Sequence, residues 1–225
     1  MVERKIIITE DGSHSIAIPG SNVTYHSIHG AVQESKHVFI DAGLKYWLNQ
    51  FADKQVKIFE AGFGTGLNAL LTAIEVEKSK ISVYYVALEP FPISVEEALS
   101  LNYCEQLKRK DLQEDFIRMH ECRWNKSFAV TENVLMHKSK YTLQEFGDTT
   151  KFDIIYYDAF APAAQAELWT KEIFQKLFGL LKPNGALVTY CSKGDVRRAM
   201  MAAGFTVKKL PGPPGKREML RAMKN

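Results

Sequence analysis

One segment of the chain, Glu60 to Asn68, limits the possible folds more than any other. It reads EAGFGTGLN and lies between the apolar run VKIFEA and a periodic segment that ends at Glu77. In that segment leucine or isoleucine occupies positions 67, 70, 71 and 74, which fall on one face of a helix. Glycines at a strand-to-helix turn let the backbone pass close to a ligand. We therefore predict a buried strand, a binding turn and a helix that packs on a sheet.

The chain after this helix continues as alternating strands and helices. Ser94 with Glu97 predicts a capping box at one helix start, and the charged stretch 105–121 is predicted to be helical. A later amphipathic helix ends at the KPNG sequence of 182–185, and another is capped by Asp195 and ends at Gly204. The predicted strands are ISVYYVAL, NVLMH, FDIIYY, ALVTYC, FTVKKL and EMLRA.

This pattern predicts the fold class α/β, a doubly wound and mostly parallel sheet with helices on both faces. The last two strands flank PGPPG and form a C-terminal antiparallel hairpin. A reversed strand at the end favours the Rossmann-like class I methyltransferase variant over the dinucleotide dehydrogenase variant. At the other end, KIIIT and SIAI flank Asp11-Gly12 and predict a small N-terminal β appendage. We divide the chain into 1–50, the appendage and a linking helix, and 51–225, the main domain.

Composition excludes several classes of protein. Of the 225 residues, 46% are hydrophobic and 24% charged, which is typical of a globular domain and not of a disordered chain. No stretch approaches the roughly 18 apolar residues of a membrane span, and the start does not resemble a signal peptide. The three cysteines, at 104, 122 and 191, are widely spaced and favour neither disulfides nor a metal site. We expect a cytoplasmic protein that makes no membrane contact.

The glycine spacing indicates the cofactor. The dinucleotide fingerprint GxGxxG needs a glycine where this chain has Leu67, whereas GxGxG after an acid is typical of S-adenosylmethionine sites. Glu60 is expected to accommodate the positively charged methionine end. Glu89 ends the next strand, where an acid can accept both ribose hydroxyls. The predicted cofactor-binding residues are Glu60, Gly62, Phe63, Gly64, Gly66, Asn68, Glu89 and Pro90.

Asp158 is the predicted catalytic residue. It follows the strand FDIIYY, and the carboxyl ends of parallel strands line the cleft of such a sheet. An aspartate there can accept a hydrogen bond from an amine, orient its lone pair and stabilise the charge that develops during alkylation. The sequence does not decide whether Asp158 also removes a proton from this amine. Phe160 and Trp169 could stack on a planar substrate or belong to the core.

Charge is distributed unevenly along the chain. The formal net charge is +3, yet residues 182–225 hold ten lysines and arginines against two acids. This region is predicted either to contact phosphates or to be a solvated face. The candidate substrate-binding residues, which include part of the segment 25–34, are Tyr25, Ser27, Glu34, Phe160, Trp169, Lys193, Arg197, Lys216 and Arg217. His26 and His29 lie in the same segment as weaker candidates.

With these residues in view, the chain resembles the MnmC-like family of methyltransferases, including its stand-alone MnmD members. The resemblance rests on YHSIHGAVQESKHVFIDAGL from Tyr25, on EAGFGTGLN, on DAFAP followed by ELWT, and on GKREMLRA. It implies methyl transfer from S-adenosylmethionine to the amine of 5-aminomethyl-2-thiouridine at the wobble position of tRNA. It also implies Asp158 as the active-site acid. Some bacteria fuse this domain to a flavin-dependent oxidase, for which the present chain has no room.

The sequence departs from the family after the third strand, where His137-Lys138-Ser139-Lys140 replaces an acid that could hold the adenine amino group. Adenine is then expected to be bound by backbone and neighbouring polar atoms. The loop 161–166 also lacks a proline that often precedes ELWT. Two alternatives stay open at this point. One is an aminopropyltransferase of the spermidine synthase type, which needs an acid-rich pocket, and the other is a catalytically silent RNA-binding module.

Overall fold

An eight-stranded sheet forms the centre of the computed structural model, which describes residues 3–51, 54–77, 79 and 81–225. Its strand order is β10-β11-β9-β8-β4-β5-β7-β6. The five strands β4, β5, β7, β8 and β9 run parallel, and β6, β10 and β11 are antiparallel to their neighbours. The strand bounds are β4 Gln55–Ala61, β5 Ser82–Leu88, β6 Ser127–Thr131, β7 Val134–Ser139, β8 Phe152–Tyr157, β9 Leu181–Thr189, β10 Thr206–Pro211 and β11 Glu218–Met223. The predicted mostly parallel sheet with a closing hairpin is confirmed.

Helices cover both faces of this sheet. Successive strand residues point to opposite sides, so Ile58 and Tyr156 belong to one apolar cluster while Phe59 and Tyr157 belong to the other. The helices are α1 Ala31–Ser35, α2 Tyr46–Gln50, α3 Leu67–Glu77, α4 Val95–Leu99, α5 Tyr103–Gln106, α6 Gln113–Glu121, α7 Lys171–Leu180 and α8 Gly194–Ala202. Short 3₁₀ turns lie at Lys110–Leu112 and Ala166–Trp169. Within the described residues no helix is both long and apolar enough to cross a membrane.

Several local predictions hold in detail. Ser94 Oγ accepts a hydrogen bond from Glu97 N, and the Glu97 carboxylate accepts one from Ser94 N, which completes the predicted capping box. Gly204 follows the end of α8 with a φ of 107°, a conformation that a side chain would strain. Helix α7 ends at Leu180, just before the predicted KPNG stop.

Other local predictions were wrong. The stretch 105–121 is not one helix, because Lys108 adopts a φ of 56° and separates α5 from the later turns. Asp195 does not cap α8: Lys193 holds that position without a side-chain cap, and Asp195 lies in the first turn, paired with Arg198. Strand β6 was missed, because it is a short edge strand with three of its five residues polar or alanine.

The N-terminal region combines a small sheet with a long helical stretch. Strands β1 Lys5–Ile8, β2 His14–Ile18 and β3 Val23–Thr24 form an antiparallel sheet, and the first two form the predicted hairpin. Helices α1 and α2 are joined by a π-helical segment, Lys36–Lys45, so that the chain stays helical from 31 to 50.

This helical stretch packs directly on the central sheet. The Phe39 ring lies 5.3 Å from the Tyr156 ring, and a Cβ added to Gly43 would lie 3.0 Å from Val188 Cγ2. One apolar cluster therefore contains residues from both sides of the predicted boundary between 50 and 51. The division into an appendage and a main domain stays a prediction. It can be tested by substituting a residue of the apolar cluster that the two parts share.

Phe39→Ala tests whether the helical stretch is part of the main folding unit. The ring is 1% exposed, and its removal from a core is expected to lower the free energy of unfolding by about 3–5 kcal/mol. Urea unfolding followed by tryptophan fluorescence and by circular dichroism should give one coincident transition at lower urea. Ile8→Ala, at a residue 74% exposed, is the matched control and should leave the transition unchanged. Two separated transitions would instead support an independent N-terminal unit.

Candidate functional site

A cavity of about 400 Å³ opens where β4, β5, β7 and β8 end, within the size range of small-molecule sites. The charged side chains on its wall are the carboxylates of Glu89, Asp158 and Glu167, and no lysine or arginine lines it among the described residues. The complete lining is Tyr25, His26, Ala61, Gly62, Phe63, Gly64, Thr65, Leu88, Glu89, Pro90, Phe91, Thr142, Leu143, Gln144, Asp158, Ala159, Phe160, Gln165, Glu167 and Leu168. The cavity therefore favours a ligand that carries positive charge.

The glycine turn forms one side of the cavity. Gly62, Gly64 and Gly66 have φ values of 94°, 51° and 78°, which favour glycine. A Cβ on Gly62 would also lie 2.6 Å from the Asp158 carbonyl oxygen, closer than any real contact. The turn can therefore lie directly against the chain that follows β8 only because position 62 has no side chain.

Three backbone amides of this turn have partners within the protein. Gly62 N and Phe63 N donate to Leu88 O at 3.1 and 3.0 Å, and Gly66 N donates to Phe63 O at 2.9 Å. These hydrogen bonds hold the turn against the end of β5.

Glu89 lies at the end of β5, beside the turn. It is 8% exposed, and its two carboxylate oxygens accept from Gly64 N at 2.8 Å and from Phe91 N at 2.9 Å. Burial raises the pKa of this carboxyl, while the two amides act in the opposite direction. Each oxygen keeps a further lone pair that can accept from a hydroxyl group. The geometry thus fits the predicted ribose contact, and Pro90 and Phe91 supply apolar surface next to it.

Asp158 is joined to Glu60 through one amide group. Asn68 Nδ2 donates to Glu60 Oε1 and to Asp158 Oδ2, both at 2.9 Å. Glu60 is fully buried and, like Gly66 and Asn68, lies behind the cavity wall and not on it. Asn68 thus holds the Asp158 carboxyl from behind the wall, and the cofactor contacts that the sequence predicts for Glu60, Gly66 and Asn68 stay predictions.

The protonation of this pair follows from burial. Asp158 is partly exposed, with its exposed part on the cavity wall, and burial of the carboxyl raises its pKa to about 7. The Glu34 carboxylate adds to this increase, while the Asn68 hydrogen bond and the Lys216 ammonium oppose it. Burial also raises the pKa of Glu60 well above its ordinary value. Near neutral pH Asp158 can therefore both accept and release a proton.

Two predicted aromatic residues have different positions. Phe160 lies on the cavity wall, with its ring edge-on to Tyr25 at a centroid distance of 5.1 Å. Trp169 does not reach the cavity: it is 6% exposed and packs among Tyr157, Phe174 and Tyr190. Its indole N–H donates to Phe160 O at 2.8 Å. Of the two alternatives that the sequence left open for Trp169, the structure favours core packing, and the ring supports the loop that carries Phe160.

The candidate residues of the segment 25–34 differ in their distance from the cavity. Ser27 N donates to Glu34 Oε2 at 2.8 Å, and neither residue lines the cavity. His26 does line it, with Nε2 2.7 Å from Thr65 Oγ1, and burial lowers its pKa to about 4, so the ring is neutral. His29 lies at the surface, 3.0 Å from Glu10. Of this segment, Tyr25 and His26 line the cavity.

The basic C-terminal residues fall into two groups. Six have partners inside the protein, and Lys216 is among them: it pairs with Glu34 and lies 4.0 Å from the centre of the Tyr190 ring. The other five are Lys182, Arg198, Lys209, Arg221 and Lys224. The remaining four, for whose side chains no partner is found among the described residues, are Lys193, Arg197, Lys208 and Arg217. Lys193, Lys208 and Arg217 are exposed, whereas Arg197 is half-buried and its Nε is buried.

Several lining residues were missed by sequence reasoning. Thr142, Leu143 and Gln144 form the wall beyond β7, where the strand end itself was the usable signal. Glu167 belongs to the ELWT motif but was given no role. Lys138, which replaces the expected adenine-binding region, is 1% exposed, with Nζ 4.8 Å from the Phe63 ring and 4.4 Å from the Trp124 ring. It packs behind Phe63 and does not line the cavity, whereas residues 142–144 do.

Comparison with known proteins agrees with this geometry. A family model described as S-adenosyl-L-methionine-dependent methyltransferase matches residues 104–225. A protein of Pseudomonas savastanoi pv. phaseolicola named tRNA 5-methylaminomethyl-2-thiouridine biosynthesis bifunctional protein MnmC is 32% identical over 210 residues, covering 88% of this chain. The MnmC protein of Burkholderia thailandensis is 29% identical over 98% of this chain. The chain spans only 31% and 35% of the length of these two relatives.

Solved structures share the fold. MnmC2 from Aquifex aeolicus superposes with a TM-score of 0.76 at 24% identity, covering 99% of this chain and 70% of that one. Spermidine synthase from Thermotoga maritima superposes with a TM-score of 0.55 at 13% identity, covering 99% of this chain and 69% of that one. At these identities the two structures show the fold alone. The family model, which matches more than half of the chain, shows that this protein belongs to the S-adenosylmethionine-dependent methyltransferases.

Proposed function

We propose that this protein transfers a methyl group from S-adenosylmethionine to the exocyclic amine of 5-aminomethyl-2-thiouridine at the wobble position of tRNA. The observation that carries the proposal is Asp158, an acid with a pKa of about 7 on the wall of a cavity whose charged side chains are all carboxylates. An alkyl amine is cationic near neutral pH and must lose a proton before its nitrogen can react. The name of the MnmC relatives supports the nucleoside.

The cofactor would be held by the residues around the glycine turn. Glu89 would accept the ribose hydroxyls, Gly62 and Gly64 would let the backbone approach the ligand, and the segment 142–144 would face the adenine. When bound, S-adenosylmethionine supplies an electrophilic methyl group on a sulfonium centre. The carboxylates of the cavity would complement that positive charge.

Asp158 would prepare the acceptor amine. Its carboxylate attracts the aminomethyl ammonium, accepts one proton from it and leaves the nitrogen lone pair free. The Asn68 amide holds one carboxyl oxygen, so that the other is directed at the amine. Tyr25 and Phe160, whose rings contact each other edge-on, would together present one apolar surface to the uracil ring and exclude water.

No covalent enzyme intermediate is part of this proposal. Cys191, on the chain just after β9, is buried, and burial raises the pKa of its thiol. A thiol with a raised pKa is a poor nucleophile. We therefore propose direct displacement, in which the amine nitrogen bonds to the methyl carbon as the bond from that carbon to sulfur breaks.

The tRNA itself would be the macromolecular partner, with Lys193, Arg197 and Arg217 contacting phosphates. The Glu218 carboxyl lies within the field of both Arg197 and Arg217, which together lower its pKa after the larger effect of Lys209. Phosphate contacts of this kind fix the orientation of a nucleic acid on a protein without reading its sequence. Because the relatives are bifunctional and this chain matches a third of them, the proposal covers methyl transfer alone, with the cytoplasm as its place of action.

An aminopropyltransferase is the second candidate. The acid-only cavity would suit a polyamine, and the spermidine synthase fold is similar. The family model describes methyl transfer, however, and the free basic side chains suit a nucleic acid better than a small cation. The two candidates differ in cofactor, so the assay below separates them.

The decisive experiment measures methyl transfer to tRNA that lacks the final wobble methylation, with nucleosides identified by mass spectrometry. We expect 5-methylaminomethyl-2-thiouridine from the natural chain, and kcat/KM that rises about tenfold per pH unit up to about pH 7. Asp158→Asn should lower kcat by about 10²–10⁴ and remove this inflection. Asp195→Asn, at an exposed aspartate, is the control and should change neither.

Two outcomes would contradict the proposal. Incorporation of an aminopropyl group from decarboxylated S-adenosylmethionine into a polyamine, without transfer to tRNA, would establish the second candidate. A protein that binds tRNA but transfers no methyl group under any condition, and whose tRNA binding is unchanged in Asp158→Asn, would be a silent RNA-binding module.

Glu89→Gln tests the cofactor site separately. The amide cannot accept as the carboxylate does, and one backbone N–H at Gly64 or Phe91 would face an NH₂ group. We expect the affinity for S-adenosylmethionine, measured by calorimetry, to fall about tenfold or more. Glu96→Gln on the exposed face of α4 should bind normally. Unchanged affinity of the Glu89 variant would remove Glu89 from the site.

Arg197→Gln and Arg217→Gln test the phosphate contacts. Each substitution should weaken tRNA binding for all sequences alike and reduce the slope of log K against log salt by about 0.7–0.9 per lost contact. Binding is measured by fluorescence anisotropy at several salt concentrations. Lys110→Gln, at a side chain 77% exposed outside the C-terminal region, should leave the slope unchanged. Equal slopes for all three variants would place the tRNA elsewhere.

A further inference from the structure

The tip of the C-terminal hairpin packs against the N-terminal segment beside the cavity. Lys216 Nζ forms an ion pair with Glu34 Oε1 across 182 residues of sequence. The Glu34 side chain is 7% exposed and that of Lys216 30%. The neighbouring Gly215 has a φ of 79°, and a Cβ there would overlap the His29 ring at 2.0 Å. The hairpin tip therefore packs closely against the N-terminal segment, and the two form a largely buried ion pair.

Each partner is linked to the cavity wall by one further contact. Glu34 Oε2 accepts from Ser27 N at 2.8 Å, and the preceding residue, His26, lines the cavity. Lys216 lies on the face of the Tyr190 ring, whose hydroxyl donates to Ala159 O at 2.8 Å. Ala159 directly follows Asp158. The Glu34–Lys216 pair thus supports the cavity wall at His26 through Glu34 and at Ala159, next to Asp158, through Lys216.

We propose that Glu34 and Lys216 form a charge-balanced positioning pair for Asp158, which fixes the cavity wall on both sides of this acid and places two opposite charges behind it. The inference deepens the proposed function and rests on the role given there to Asp158. It assigns Lys216 to the support of the cavity wall, whereas the sequence had suggested a phosphate contact.

The electrostatics of the site support this assignment. Burial is the main cause of the raised pKa of Asp158, and beyond it Glu34 raises this pKa while Lys216 lowers it. Removing either partner leaves the other as an uncompensated, partly buried charge. The two single substitutions should therefore move the pKa of Asp158 in opposite directions.

Other titratable groups around Asp158 leave this expectation unchanged. Burial keeps Tyr85, Tyr103 and Tyr190 neutral by raising their pKa values, and it lowers the pKa of His26 to about 4. Glu60, whose pKa is raised by burial, shares the Asn68 amide with Asp158. Glu89 and Glu167 share the cavity wall. All of these groups are present in every variant compared.

The test is a titration of the Asp158 carboxyl carbon by NMR in the full-length, cofactor-free protein, with the resonance assigned by its loss in Asp158→Asn. Lys216→Met is expected to raise the pKa by about 0.5–1 unit, and Glu34→Gln to lower it by about as much. The double variant should return to within about 0.3 unit of the natural value, because both charges are then gone. Lys209→Met, which breaks the exposed pair with Glu218 on the same hairpin, should cause no shift.

A purely structural role predicts a different result. The proposal would be overturned if the pKa of Asp158 moved in the same direction in Lys216→Met and in Glu34→Gln. It would also be overturned if this pKa did not change in either variant when both are folded. Lys216→Arg keeps the charge and should keep the natural titration even if Lys216→Met does not fold, so a shift in the arginine variant as large as about 0.5 unit would also overturn it. The titration needs neither tRNA nor S-adenosylmethionine, so it stands or fails independently of the methyl-transfer assay.

Discussion

The close contact between the glycine turn and the backbone after β8 is the constraint on which the whole site depends. Strands β4 and β8 are parallel neighbours, so Ala61 and Tyr157 end side by side. Asp158 N donates back to Ala61 O at 3.0 Å, and Gly62 has no Cβ that would push the two segments apart. The cofactor turn and the acid that would activate the acceptor amine therefore face the same cavity. Asn68, at the start of α3, then connects the two strands through their carboxylates.

Much of this arrangement could be predicted because it depends on local rules. A buried strand, a glycine turn and a helix follow from periodicity within a few residues, and acids at the ends of parallel strands must meet at one edge of the sheet. Glu89 and Asp158 were placed at this edge in this way, and both line the cavity. The same rule could have pointed to the region of Thr142 and Gln144 beyond β7, but these residues were missed because none of them belongs to a motif.

The features that were missed depend on long-range contacts. Nothing in the sequence near Lys216 indicates that it pairs with Glu34, and nothing near Arg4 indicates its hydrogen bond of 2.7 Å to Phe91 O. Trp169 was ambiguous because an aromatic residue near a cleft has the same local signal whether it lines the cavity or supports the loop behind it. The inward direction of Glu60 was likewise set by its place on β4 and by the burial that α3 and the 31–50 helical stretch impose.

The position of Asp158 also has a consequence for the stability of the molecule as a whole. In the folded protein its carboxyl keeps a proton up to about pH 7, whereas in the unfolded chain the same group releases it near its ordinary value of 3.8. Between these pH values unfolding releases a proton, so the contribution of this residue to the free energy of unfolding decreases as pH rises through that window. Above it the folded protein carries an unfavourable buried charge. Asp158 can act as a base only above about pH 7, where its charge also lowers the free energy of unfolding. The packing of the surrounding core must compensate for this loss of stability.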